Sequence, residues 1–203
     1  MIKVGLTGGI GVGKTVCADI FSLLGVPIYN SDNEAKLIMV QDEDVKDAIK
    51  DIFGSKSYNG DGTLNRGHLA SLIFSDKLLL AKMNDIVHPA VREHFRKWVK
   101  KNQQQKYIIQ ESALIFETGS YKSFDKIILV HAAEEVRIER VIKRDKSSEE
   151  EVLARMKKQL PQEEKLEFAD YVIINDNKRP LIKQIMNIHI DLMNIDIKSS
   201  QPA

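Results

Sequence analysis

Residues 5–15 read GLTGGIGVGKT, and the spacing of glycine, four residues, then Gly-Lys-Thr falls on Gly8, Gly13, Lys14 and Thr15. In front of it, Ile2 to Leu6 form a short apolar run ended by Thr7 and two glycines, the pattern of a buried strand entering a tight loop. Behind it, Val16, Cys17, Ile20, Phe21, Leu23 and Leu24 recur on a broad helical face until Gly25 stops the helix. A strand, a glycine-rich loop and a helix in that order make a phosphate-binding loop. Glycines let consecutive backbone N–H groups turn toward an anion, and the helix that follows adds the positive end of its dipole. In such a loop Lys14 bridges the β- and γ-phosphates of a nucleotide, and the Thr15 hydroxyl ligates Mg²⁺. The competing reading, a dinucleotide-binding turn, fails: Gly9, Gly11 and Gly13 are each one residue apart, so GxGxxG is not met, and that motif has no use for the lysine.

Downstream, Val26 to Tyr29 read as a second strand that delivers Asn30, Ser31 and Asp32 to a loop, with a helix beginning near Asp32. Residues 44–105 show no convincing strand, and VKDAIKDIF, HLASLIF, LLLAKMNDIV and AVREHFRKWVKK all carry helical spacing, so this stretch is expected to be a helical insertion. Strand signals return at Tyr107–Ile109, Lys126–Val130 and Tyr171–Ile174. The alternation predicts an α/β fold with a parallel sheet covered on both faces. From 134 to 167 charge dominates and the apolar stripe of Val136, Ile138, Val141 and Ile142 is thin, which predicts helices that pack weakly and move; the tail KSSQPA is expected to fray.

Thirty basic against 29 acidic residues leave a net charge of +1, so the chain lacks the overall field of a non-specific nucleic-acid binder. Cys17, the single cysteine, cannot form an intrachain disulfide and is expected to be a small packing residue. The amino terminus is too short in apolar residues to be a secretory signal, and no stretch reaches the length of a spanning helix. These features predict a soluble cytoplasmic protein with no nucleic-acid or membrane partner, monomeric or weakly oligomeric. The histidines show no zinc spacing, and Asn59 to Gly62 read as a tight turn rather than a calcium loop. The basic run from Arg96 to Lys106 reads as a solvated helix face.

Among loop proteins of this kind, a GTPase would need Asn-Lys-x-Asp, and the nearest string, Asn177-Lys178-Arg179-Pro180, has proline in place of the carboxylate. Adenine is the better base. A small kinase needs a group to orient the acceptor hydroxyl, a carboxylate near Mg²⁺ and cations for the transferring phosphoryl. Asp32, past the second strand, is the candidate for the first, against the plainer reading of a helix N-cap. Glu111, following the YIIQ strand, is the candidate for the second, against a surface carboxylate or loop cap. Arg140 and Arg144, four apart on one helix face, are the candidates for the third, against a solvated face; Glu139 and Asp145 lack the spacing that favours pairing with them.

Taken together, GLTGGIGVGKT, Ser31-Asp32, His88-Pro89, LIFE at 114–117, RVIKRD at 140–145 and QLPQEEKLEFADYVI at 159–173 resemble the dephospho-coenzyme A kinase family over about the first 180 residues. The resemblance implies a nucleoside-kinase-like three-layer fold with a nucleotide-binding core at 1–32, 107–133 and 168–195, a helical acceptor-binding region at 33–106, a helical lid at 134–167 and a tail at 196–203. It implies ATP-dependent phosphorylation of the ribose 3′-hydroxyl of dephospho-coenzyme A, with ATP and dephospho-coenzyme A as substrates and Mg²⁺ as cofactor. It assigns ATP to Gly8, Gly9, Gly11, Val12, Gly13, Lys14, Thr15 and Val16, with Arg144, and it places Asn175 near the adenine. It makes Asp32 the catalytic carboxylate beside Lys14, and Arg140 the lid cation. Lys36, Arg66, His88 and Glu111 fall on the acceptor side. Several positions depart from the usual pattern. Asn30 replaces an acid, Lys36 stands for an arginine and so loses a bidentate fork, Glu111 stands for an aspartate, and Val16 lacks a hydroxyl for the α-phosphate. A kinase of another small acceptor would share everything except the acceptor region, and a non-catalytic nucleotide-binding protein would share the loop.

Overall fold

The computed structural model describes residues 1–195, the side chains of Phe74 and Ser75 excepted; the tail at 196–203 lies outside the described residues. Among these the chain runs β1 Ile2–Thr7, α1 Lys14–Leu23, β2 Ile28–Asn30, α2 Ser31–Gln41, α3 Glu43–Phe53, α4 Arg66–Ser75, α5 Lys77–Lys101, β3 Tyr107–Glu111, β4 Lys126–His131, α6 Glu134–Asp145, α7 Glu149–Met156, α8 Gln162–Leu166, β5 Tyr171–Ile174 and α9 Leu181–Asn194. It divides into two compact units, one of Met1–Tyr29 with the chain from Asn102 onward, the other of Asn30–Lys101.

The first unit is built on a five-stranded sheet of order β2-β3-β1-β4-β5, in which β1–β3, β1–β4 and β4–β5 pair in parallel. Successive side chains of a strand point to opposite faces, and the sheet shows this directly. Val4, Leu6, Tyr107, Ile109, Ile128 and Val130 join Cys17, Ala18 and Phe21 of α1 and Ile185, Ile188 and Leu192 of α9 in one core. On the other face Ile127 packs with Ile115 and Phe116, beside Tyr121 and Phe124. The sheet is therefore covered on both sides, which is why its strands read as continuous apolar runs. β1 lies in the middle, so the loop that leaves its carboxyl end is flanked by strand ends on either hand, where ligands of open α/β sheets collect.

The register sets the site. Leu6 pairs with Glu111, and Thr7 pairs with Leu129. β3 runs two residues further than the sequence suggested, so Glu111 is the last residue of the strand itself and is buried. This removes the reading of Glu111 as a surface carboxylate. The segment 134–167 also differs from expectation. It does not pack weakly: Val141 and Arg137 of α6 and Val152 of α7 are buried, and so are Gln162 and Lys165 of α8. Two polar anchors replace the apolar contacts that its thin stripe could not supply. Lys165 Nζ pairs with Glu117 Oε1 at 2.7 Å, and the same oxygen accepts from the Leu160 N–H at 3.0 Å.

The second unit is helical, as its spacing predicts, and has its own core of Ile38, Val45, Ile49, Phe53, Leu69, Met83 and Val87. The two apolar segments on either side of Pro89 merge into the single 25-residue helix α5, the ring removing one backbone donor without ending the helix. Asn59 to Gly62 form a turn closed by Asn59 N–H to Thr63 O at 2.8 Å, beside a Tyr58–Leu64 bridge.

Candidate active site

Gly13 is the N-cap of α1 and has φ 89° and ψ 33°, the left-handed region that a side chain rarely tolerates. Space closes the position as well: a Cβ there would lie 2.4 Å from Asn175 Nδ2. Gly11 is held open in the same way, with φ 83° and the Arg137 carbonyl oxygen 2.6 Å from where its Cβ would be. The loop between β1 and α1 is thus wound tightly enough that the Asn175 side chain and the Arg137 backbone fill the room of two side chains. Val12 is fully buried beneath it. Lys14 Nζ donates to Gly8 O at 3.0 Å and reaches Gly9 O at 3.5 Å, so the ammonium curls over the mouth of the loop. This is where bound phosphate oxygens would meet it.

On the first turn of α1, Thr15 Oγ1 donates to Glu111 Oε1 at 3.3 Å. These are the two oxygens that the sequence assigned to Mg²⁺, 96 positions apart in the chain and adjacent in space because β1 and β3 share a register. Among the described residues no group of three or more His, Cys, Asp or Glu side chains could hold a metal ion. A hard cation here would need substrate phosphates and water to complete its octahedron, as Mg²⁺ in phosphoryl-transfer sites does. Val16 is exposed on the next position of α1. Cys17 is fully buried, and burial foremost, with Glu111 second, pushes its thiol up to about 12. It is a packing residue, as expected.

Arg140, on α6, is engaged with the loop itself. Its guanidinium donates to the Asn175 carbonyl at 3.1 Å, to Asn175 Oδ1 at 3.2 Å and to Asn177 Oδ1 at 2.5 Å, and approaches Gly11 O and Val12 O at 3.4 Å. The winding of the loop brings the Gly11 and Val12 carbonyls to the side that α6 occupies, within reach of that donor. Asn175, buried after β5, is engaged in the same way: its Nδ2 donates to Val12 O at 2.7 Å. Its side-chain amide is therefore a strut of the loop. Arg144 does not share Arg140's role. It is exposed and forks onto Asp145 at 2.7 and 3.1 Å despite the unfavourable spacing, and Arg155 joins from α7 at 2.7 Å. Those two guanidinium groups hold the Asp145 carboxyl well below its usual range.

The remaining candidates belong to the helical unit. Asp32 is exposed on the first turn of α2, two residues beyond the end of β2, and it does not cap the helix: Asn30 does, accepting from Asn33 N–H at 2.9 Å. The cap reading of Asp32 is thereby overturned, and its carboxylate is left with the favourable end of the helix dipole. Lys36 follows one turn later, also exposed. Arg66 opens α4, whose N-cap Asn65 accepts from His68 N–H at 3.1 Å. His88 is half-buried on α5, and burial first, then Arg92, lowers its pKa against the opposing pull of Asp85.

Five residues that touch the loop or support its neighbours escaped the sequence reading: Arg137, Gln159, Gln162, and the paired Lys165 and Glu117. One signal was available. Arg137 lies four residues before Val141, so it falls on the buried stripe of α6, where an arginine needs a reason.

A parallel α/β sheet whose central strand runs into a glycine-rich loop, with lysine, threonine and a strand-end carboxylate gathered at its mouth, defines a P-loop phosphotransferase. The comparisons narrow that class. The CoaE dephospho-CoA kinase family matches residues 2–180, and the chain belongs to that family. The dephospho-CoA kinase of Bacteroides fragilis is 40% identical over 187 residues, covering 92% of this chain and 91% of that protein. The crystal structure of TT1252 from Thermus thermophilus aligns with a TM-score of 0.83 at 32% identity, over 94% of this chain and 96% of the other. The dephospho-CoA kinase from Campylobacter jejuni aligns with a TM-score of 0.72 at 24% identity, over 94% and 96%, and shares the fold. Among the described residues no helix is long and apolar enough to cross a membrane.

Proposed function

We propose that this chain transfers the γ-phosphoryl of ATP to the ribose 3′-hydroxyl of dephospho-CoA, giving coenzyme A and ADP. The observation that carries it is the loop of residues 8–15, with Lys14 over its mouth and Thr15 against Glu111, in a chain of the dephospho-CoA kinase family. Backbone N–H groups of Gly8, Gly9, Gly11, Val12, Gly13, Lys14, Thr15 and Val16 line the loop and the first turn of α1, and their dipoles stabilise the phosphate chain. Lys14 follows the charge that builds on the β–γ bridge as it breaks. Thr15 and Glu111 would hold Mg²⁺, which when bound neutralises phosphate charge and fixes the geometry of the phosphates.

In this reading Asp32 accepts the proton of the attacking 3′-hydroxyl and aligns it. The helical unit, 30–101, is the acceptor-binding region, where Lys36, Arg66 and His88 suit an anionic, nucleotide-like acceptor. Arg140 acts from behind the loop, holding its carbonyls and Asn175. Arg144, free of the loop, is the cation of this segment best exposed to a bound nucleotide. The segment 134–167 serves as the lid over ATP. The protein works in the cytoplasm, as a monomer or weak oligomer, consistent with its one buried cysteine.

The test is turnover with ATP, Mg²⁺ and dephospho-CoA, read as coupled ADP release, for the wild type and two variants. Lys14→Ala should lose both ATP use and turnover. Asp32→Asn should lower kcat about 10²- to 10⁴-fold, the range of a positioned acid or base, while the KM for ATP stays within a few-fold. Full activity in Lys14→Ala discredits the loop as the ATP site, and near-normal kcat in Asp32→Asn removes Asp32 from the chemistry.

A further inference from the structure

Ile10, at the outer turn of the phosphate loop, has both of its main-chain groups taken by side chains from the segment that follows β4. Its N–H donates to Gln159 Oε1 at 2.9 Å, and its carbonyl accepts from Arg137 Nε at 3.0 Å. Arg137 is only 8% exposed, and a Cβ on Gly9 would lie 2.5 Å from its guanidinium, so the group is pressed against the loop backbone. No carboxylate among the described residues forms a salt bridge with it. Instead Gln162, with its amide turned to satisfy both neighbours, accepts from Arg137 Nη1 at 2.6 Å and donates to His131 Nδ1 at 2.9 Å. The stretch carrying both glutamines is anchored through Glu117, which accepts from the Leu160 N–H and from Lys165.

A buried guanidinium that meets neutral acceptors is costly, and here one of those acceptors is the phosphate loop. A loop amide can donate either to phosphate or to protein, and pinning Ile10 outward decides which amides remain for the nucleotide. We propose that Arg137 and Gln159 are positioning residues for the ATP site. They clamp the outer turn of the loop at the two peptide groups that flank the Ile10 Cα, so that the following amides keep their inward direction, and they tie ATP affinity to the seating of residues 157–165. Neither side chain need touch the reacting atoms. This rests on residues 8–15 being the ATP site.

The experiment compares Gln159→Met and Arg137→Met, which keep side-chain bulk but remove the acceptor and the donor, with Arg137→Lys, which restores a donor. Both methionine variants should raise the KM for ATP, and the Kd of a fluorescent ATP analogue, about tenfold, the effect of one lost hydrogen bond to the bound state. The KM for dephospho-CoA should stay within about twofold, and Arg137→Lys should recover most of the ATP affinity. Equal rises in both KM values, or a fall in kcat with ATP affinity untouched, would overturn the proposal. Should Arg137→Met fail to fold, Gln159→Met, at a half-buried position, still decides it. Lys14→Ala separates the two levels of the reading: if it abolishes ATP binding while Gln159→Met leaves affinity unchanged, only the clamp is wrong; if Lys14→Ala also leaves affinity intact, the loop assignment falls with it.

Discussion

Lys165→Met should be among the most destabilising single changes outside the apolar core. The ammonium is 0% exposed and lies 2.7 Å from Glu117 Oε1, and the Glu117 side chain is 15% exposed. Glu117 Oε2 is buried with no hydrogen-bond partner among the described residues. Removing the lysine charge therefore leaves a carboxylate that is shielded from water on one oxygen and holds a single backbone N–H on the other. Breaking a buried pair from one side costs about 3–5 kcal/mol. For a chain of this length each kcal/mol shifts Tm by about 2–4 °C, so the melting temperature should fall by roughly 6–20 °C. The double variant Lys165→Met/Glu117→Leu should regain much of the loss, because an apolar pair removes the uncompensated charge and the N–H of exposed Leu160 can turn to water. Thermal melts of the wild type, the two single variants and the double variant measure this as a cycle. A Tm within about 2 °C of wild type for Lys165→Met, or strictly additive losses in the double variant, would refute the reasoning.

Three further outcomes follow from the geometry. Gly13→Ala should raise the KM for ATP at least tenfold, because a left-handed alanine costs about 1–2 kcal/mol and its methyl would displace Asn175 from the loop; unchanged ATP kinetics would show that the loop tolerates another winding. Cys17, its thiol pushed up to about 12, should resist iodoacetamide at about pH 8 in the folded protein and react after denaturation, as followed by mass; rapid labelling of the native chain would contradict its burial. His88 is held neutral in the folded state more strongly than in the unfolded chain, so the unfolded state binds more protons between the two pKa values. Its contribution to stability is complete above the unfolded value, about 6.5, and falls as pH drops through it toward the lower folded value. His88→Gln should flatten the Tm profile between about pH 5 and pH 7, and an unaltered acid limb would assign that limb to other groups.

How much of this was legible in the sequence depends on the range of the interactions. The phosphate loop was readable because its chemistry is contained in eight consecutive residues and its flanks. Thr15 and Glu111 were nearly readable, since one lies on the first turn of the helix after β1 and the other ends β3, and a parallel sheet brings such positions to one rim. The extra length of β3, which buries Glu111, depends on pairing with β1 and leaves no local signature. Arg140 was singled out for its charge and helix position, but its partners, Asn175 and Asn177, lie 35 and 37 residues away, and only the fold reveals that it braces the loop. Arg137 and Gln159 lie further still from Ile10, at separations of 127 and 149 residues. The thin apolar stripe of α6 suggested loose packing because it counted apolar side chains alone, whereas the segment is held by buried polar pairs. The N-cap at the start of α2 was missed for a more local reason: Asn30, Ser31 and Asp32 are all good caps, and which one takes the position follows from where β2 ends.

The most direct measurement is acceptor-dependent phosphoryl transfer, with ATP·Mg²⁺ offered to dephospho-CoA, nucleoside monophosphates and sugar acids in parallel, and each product identified by mass and by the position of the new phosphate. Turnover confined to dephospho-CoA, with the phosphate on the ribose 3′-oxygen and one ADP released per product, is the predicted result. Turnover only with another acceptor, or ATP binding with no transfer at all, would contradict it.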